Sequence, residues 1–233
     1  LPEDWTSIHL GNSNSWMWGW QPGHSGIHSA EIRPAWNNVL EDEWLITPAF
    51  DASGTPYLLL DFWESGRFWT EGGGVHEVLV STTVADDPVA FTSVWQTTPD
   101  SYDAPWLDSW KDQWVNVQID LSQYAGQTIF VAFRYYSEVS TDYWWIDDVR
   151  LRAPTQHEVR ALAALPSDEA WLPGNEIIPR LVIDNIGPQA ETFPVEMIIE
   201  QDGTLVYNET VQVIGLASGA EMTVEFPSFI CQT

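Results

Sequence analysis

Apolar and polar residues alternate at a period of two over short stretches of this chain. No long segment has the three-to-four spacing of an amphipathic helix. Val75-His76-Glu77-Val78-Leu79-Val80 and Val115-Asn116-Val117-Gln118-Ile119-Asp120 alternate in the manner of half-buried strands. Runs rich in β-branched and aromatic residues, bounded by Gly, Pro, Asp or Ser, predict further strands. In the first part of the chain these cover residues 43–46, 57–63, 75–81, 90–96, 114–121, 128–135 and 143–151. Residues 121–127 predict a turn or a helical turn before a strand. Short strands separated by regular turn signals predict a sandwich or jelly roll.

A boundary falls near residues 151–155, where Arg152-Ala153-Pro154 interrupts the pattern. Tryptophan density drops there: fourteen of the fifteen precede residue 150 and only Trp171 follows. The second part predicts strands over 157–164, 177–185, 193–201, 205–213 and 221–226, with turns at Gln201-Asp202-Gly203 and Ala217-Ser218-Gly219. This pattern resembles an Ig-like module, which needs about seven strands. Fewer are found before Thr233, so the second domain is expected to be truncated or completed from elsewhere. The expected fold class is all-β: a jelly-roll β-sandwich over 1–153, then an Ig-like β-sandwich over 154–233 that is incomplete.

Charge narrows the function. Eight Lys and Arg against 34 Asp and Glu give a net charge of −26, spread along the whole chain. Such a surface repels phosphate backbones and anionic lipid, so nucleic acid is not an expected partner. No run reaches the roughly 20 apolar residues that cross a bilayer, so membrane insertion is not expected either. Divalent cations suit the composition, because hard cations take carboxylate and carbonyl oxygens. The same acidity equally suits solubility in a salty or extracellular medium. Leu1-Pro2-Glu3-Asp4-Trp5 lacks the basic start and apolar stretch of a signal peptide, so a mature or trimmed beginning is expected. Cys231 is the single cysteine, which excludes an internal disulfide framework and a cysteine-based zinc site.

Several segments, in order, carry a family resemblance. They are Leu1-Pro2 with Trp5-Thr6, His24-Ser25-Gly26 with Ser29-Ala30, Glu43-Trp44-Leu45-Ile46-Thr47-Pro48 and residues 58–63. Val78-Leu79-Val80-Ser81-Thr82, residues 117–121 with Tyr124-Ala125-Gly126-Gln127, and Trp145-Ile146-Asp147-Asp148-Val149 complete the set. Together they resemble the cleaved-adhesin, or choice-of-anchor J, domain over roughly residues 1–153. That group is related to MAM-like domains and jelly-roll carbohydrate-binding modules, and it includes the adhesin domains of gingipain-type secreted proteases. Residues 157–233 resemble bacterial Ig-like modules of the cell-adhesion-related type. The resemblance implies a calcium-stabilised jelly roll on a modular bacterial protein, secreted or at the cell surface, and not an enzyme.

Two groups of residues stand out as candidate sites. Asp147 and Asp148 lie in the last predicted strand of the first part, where strict alternation turns one of them inward. An inward carboxylate needs a cation or hydrogen-bond donors. The resemblance carries a structural Ca²⁺ over to Asp147, with Asp148 beside it. A solvent-facing pair, or a salt bridge to Arg150 or Arg152, is the alternative. The second group is tryptophan. Trp16, Trp18 and Trp20 alternate and share a face on an extended segment; Trp69 and Trp106 fall in or near loops. Exposed indoles beside carboxylates and amides suit the C–H face and hydroxyls of a sugar ring. Large aromatics also fill sandwich cores, where Trp44, Trp114 and Trp145 are expected. His24 and His28 have a metal-like spacing only on a helix, which Gly23, Ser25 and Gly26 oppose. No nucleophile elbow, phosphate loop or dinucleotide fingerprint occurs.

Three functions follow from this reading. The first is a non-catalytic adhesion module that binds a glycan or cell-surface protein. The second is a structural subunit or spacer of an extracellular fibre, joined to a neighbouring subunit by strand addition. The third is the accessory region of a secreted hydrolase.

Overall fold

The computed structural model describes residues 4–11, 15–19, 23–35, 39–67, 74–98, 113–138, 142–155, 157–166, 173–201 and 203–231. The chain is all-β: no α-helix occurs among the described residues, and none is long and apolar enough to cross a membrane. It folds as two compact units, Leu1–Ala153 and Pro154–Thr233.

The first unit holds β1 (Thr6–His9), β2 (Met17–Trp18), β3 (Ala30–Ile32), β4 (Glu41–Ile46), β5 (Phe50–Asp51) and β6 (Leu59–Arg67). It continues with β7 (Val75–Ser81), β8 (Thr92–Thr97), β9 (Val115–Asp120), β10 (Thr128–Ser137) and β11 (Tyr143–Arg152). One sheet runs β1-β4-β10-β7-β8, with β5 also on β10; the other runs β2-β3-β11-β6-β9. All these pairings are antiparallel. Leu45, Phe62, Val78, Val80, Val117, Ile119, Val131, Phe133, Trp144 and Ile146 belong to one buried cluster, so the inner faces of the two sheets pack together.

Which face each aromatic takes follows from the period of two. Leu45 points inward, so Trp44 and Ile46 point outward, where they are buried with Leu79, Phe91 and Ala132 in a separate cluster. Trp144 and Ile146 point inward, so Trp145 lies on the outer face of the second sheet, still only 4% exposed. Trp114 is half-buried. The expectation that Trp44, Trp114 and Trp145 fill the inter-sheet core is therefore corrected, because strand parity places Trp144 there instead.

The second unit holds β12 (Val159–Leu165), β13 (Glu176–Ile177), β14 (Arg180–Asn185), β15 (Glu191–Gln201), β16 (Thr204–Leu216), β17 (Glu221–Glu225) and β18 (Phe229–Ile230). They form a β12-β14-β17 sheet and the pairs β15-β16 and β13-β18. Ile183, Val195, Tyr207, Val213, Val224 and Phe226 make its core, which Cys231 joins as a buried free thiol.

Candidate functional site

The irregular point of the second sheet lies in β11. The register with β6 shifts between Asp147 and Arg150, a bulge that leaves Asp148 with φ of 51°. Aspartate is among the residues that tolerate this left-handed conformation. The bulge also removes the expected inward carboxylate: both Asp147 and Asp148 project at the strand's margin, half-buried.

There they hold the loop that precedes β3. Ser25 donates its backbone N–H to Asp147 Oδ2 at 3.1 Å and its hydroxyl to Asp148 Oδ1 at 2.6 Å. His24 Nδ1 lies 2.9 Å from Asp148 Oδ2, and its ring stacks on Trp63 with centroids 3.7 Å apart. Hydrogen bonds from His24 and Ser25 hold the Asp148 carboxyl below its ordinary pKa. Arg152 pairs with Asp61, while the charge of Arg150 adds to the hydrogen bonds that lower the Asp148 pKa.

Gly23 completes the arrangement. A methyl group on its Cα would lie 2.4 Å from Asp147 Oδ2, 2.5 Å from the Ser25 carbonyl oxygen and 2.6 Å from the His28 carbonyl oxygen. Three oxygens thus converge beside one bare Cα. Among the described residues no group of three or more His, Cys, Asp or Glu side chains could hold a metal ion. The cradle is instead a mixed set of one carboxylate and two carbonyls, a hard-oxygen donor set. Asp147 faces it with Oδ2, which accepts the Ser25 N–H, while its Oδ1 accepts the Asp148 N–H at 2.8 Å; Asp148 meets His24 and Ser25.

Beside the bulge, a cavity of about 290 Å³ opens between the margins of the two sheets. Trp5, Trp18, Ala30, Leu45 and Val149 line it with the two aspartates. Trp18 is 44% exposed and Trp5 stacks on Phe133. Trp16 and Trp18 both serve the inner side of the sandwich, but with different outcomes. Trp16 is 3% exposed, packs edge-on against Trp144 and donates its indole N–H to the Glu43 carbonyl. Trp16 is therefore corrected from a ligand-binding residue to a core residue, since the opposing sheet covers it. Trp20, Trp69 and Trp106 lie outside the described residues. Trp5, Gly23, Ser25 and Trp63 join the site without having been singled out as site residues. Trp5 and Ser25 lie in segments that carry the family resemblance, but nothing in the sequence placed the four together.

No protein-family model matches the chain, and neither does any curated protein. Solved structures do. The K1 cleaved adhesin domain of Lys-gingipain from Porphyromonas gingivalis W83 aligns at a TM-score of 0.52 and 23% identity, over 66% of this chain and 93% of that one. The K2 cleaved adhesin domain of Lys-gingipain gives 0.49 and 23%, over 65% and 91%. A carbohydrate-binding module, TmCBM61 in complex with β-1,4-galactotriose, gives 0.43 and 17%, over 65% and 90%. The first likeness bears on fold alone: the chain contains a β-sandwich similar to that of a cleaved adhesin domain.

Proposed function

We propose that the first unit is a non-catalytic, secreted or surface-displayed adhesion module that binds glycans, with a structural Ca²⁺ at the β11 bulge. The observation that carries this reading is the aromatic cavity, walled by Trp5 and Trp18, set directly beside the oxygen cradle at Gly23 and Asp147. The cavity is large enough for a sugar ring, and its indoles offer the flat apolar surface that a ring's C–H face stacks on. The carbohydrate-binding module named above is bound to a galactose oligomer, which agrees with this class of ligand.

Asp147 and the carbonyls of Ser25 and His28 are the residues that would hold the ion. Calcium takes six to eight oxygens, so these are part of its shell. Bound there, the ion neutralises carboxylate charge and fastens the loop that carries His24 and Ser25 to the strand. An ion that binds only the folded state stabilises it by mass action. Calcium should therefore raise the melting temperature and a chelator lower it. Asp147→Ala should melt as the chelated protein does and no longer respond to calcium; melting indifferent to both would refute the ion. For the glycan, a glycan array followed by calorimetry on the hits is the test. Trp18→Ala should weaken binding by about tenfold, the loss of one stacking face. An array without hits would refute the reading.

The second unit supports a second reading, a structural subunit with an Ig-like module joined to its neighbour by strand addition. β15 pairs with β16 alone among the described strands, which leaves its other edge for a partner strand. A donor drawn from the chain's own first residues would have to unpair Thr6 from Ile46.

A further inference from the structure

The surroundings of the β15 edge have a one-sided chemistry. Along β15, Val195, Met197 and Ile199 turn toward the core of the second unit, and Pro194, Glu196, Ile198 and Glu200 are exposed on the other face. Proline has no backbone N–H, so Pro194 fits the set of residues whose backbone points away from β16. Alternation puts the N–H and C=O of Glu196 and Ile198 in the same set. Beside that edge stands the core side of β12. Tyr207 of β16 reaches the chain just past β17, donating its hydroxyl to the Pro227 carbonyl at 2.7 Å. Val213 and Leu216 of β16 are buried with Val224 of β17. Since the other sheet runs β12-β14-β17, β16 facing β17 puts β15 under β14 and β12 over the position next to β15. There β12 presents Val159, Ala161 and Ala164, all exposed.

Charge adds a second demand. Residues 154–233 hold two arginines against twelve Asp and Glu. Arg160 pairs with Asp184 and Arg180 with Glu225, and among the described residues Glu196 and Glu200 meet no basic side chain. We infer that the β15 edge takes a strand from a different protein, in which bulky apolar residues alternate with lysine or arginine. The inference rests on the strand-addition reading of the second unit. Each half of the alternation answers one feature. Facing sheets stand about 10 Å apart and alanine methyl groups fill little of that gap, so the inward residues of the donor must be large. Its outward residues lie beside Glu196 and Glu200, where opposite charge stabilises a cross-strand pair and like charge opposes it. A second copy of this chain does not meet that demand. Arg150 and Arg152 are its only basic residues spaced two apart, and they lie in β11, already paired with β6. At a net charge of −26, two copies also repel each other.

The test uses the whole 233-residue chain and heptapeptides blocked at both ends. The probe has lysine at its odd positions and valine, leucine and isoleucine at its even ones. One control replaces the lysines by glutamate; the other replaces the apolar residues by serine. Fluorescence anisotropy reads the binding and amide exchange reads the place. The probe should bind tighter than either control by about tenfold or more, the worth of two cross-strand charge pairs or of the buried side chains. It should also slow exchange at Glu196 and Ile198. The double variant Glu196→Lys, Glu200→Lys changes only exposed side chains and should lose the preference for lysine over glutamate. Equal binding of those two peptides, or a preference kept in the double variant, would overturn the inference; edge amides still slowed would leave strand addition standing. A serine peptide that binds as well as the probe would reduce the effect to general charge attraction and overturn it too. Edge amides protected by self-association of the chain would name a second copy as the occupant, against the inference. No slowing at Glu196 and Ile198 with any peptide would end both the inference and strand addition.

Discussion

Glu43 shows what the sandwich interior does to a single ionisable group. It lies on β4 two residues before Leu45, so it points inward, opposite Tyr135, and is fully buried. One carboxyl oxygen meets His9 and the other has no partner. Burial pushes its pKa from 4.5 up to about 7, helped by Glu41 and Asp42 and opposed by His9. The folded chain then binds a proton that the unfolded chain releases between about pH 4.5 and 7, so Glu43 costs stability as pH rises through that window. His76 acts in the opposite sense. Full burial against Trp144 lowers its pKa below 6.5, which Asp142, 3.1 Å away, only partly offsets. The unfolded state then binds the extra proton, so stability present above pH 6.5 is lost as pH falls toward the folded value. The two slopes partly cancel in the native protein, and variants separate them. Denaturant titrations across this range should show Glu43→Gln gaining stability at the upper end and His76→Gln losing the acid-side decline. Parallel curves for all three proteins would show that neither group titrates as argued. Neither burial was legible in the sequence. Residues 41–46 run from acidic to apolar on both faces, and only the packing around β4 decides how deeply the acidic end is closed.

At the scale of the element, the bulge in the middle of β11 is what turns a strand into a site. Residues 143–151 were predicted as a strand, and residues 75–81 agree with β7 residue for residue. The bulge was not predicted, because two adjacent aspartates read as ordinary alternation until the partner register is known. The two- to four-residue strands β1, β2, β3, β5 and β18 escaped for a related reason: they are too short to show a period, and their partners define them. Two effects meet at Asp148, its left-handed backbone and its bonds to His24 and Ser25. Substitutions separate them. Asp148→Gly loses the bonds but suits the backbone, whereas Asp148→Ala loses the bonds and keeps an unfavourable φ. Asp148→Ala should be less stable than Asp148→Gly by about 1 kcal/mol, despite alanine's usual advantage. Asp148→Asn, which tolerates the conformation and keeps a side-chain oxygen, should lie above both. Chemical denaturation of the three variants measures the order, and an alanine variant as stable as the glycine variant would remove backbone conformation from the account.

The whole molecule pairs one unit whose core is closed by a six-strand and a five-strand sheet with another whose sheets do not cover each other equally. In the second unit, Ala161 and Ala164 stand opposite Ile183 and Leu181, and Val159 opposite Asn185. They share the side that Ile183 turns into the core, yet Val159, Ala161 and Ala164 are exposed. Ile183 and Val224, on β14 and β17, are buried. The facing layer therefore stops short of β12. The free edge of β15 presents backbone donors and acceptors without a ladder partner among the described strands. A strand added to β15 would continue that layer over the alanine floor of β12. Amide exchange tests this directly. In the 233-residue chain alone, the β15 amides directed at β16 should be protected, and those directed at the free edge should exchange as fast as loop amides. Adding a strand should slow the edge amides and those of β12 together, since one insertion covers both. If the edge amides are already protected in a dilute sample that light scattering shows to be monomeric, the edge is closed from within. Strand addition would then lose the observation on which it stands.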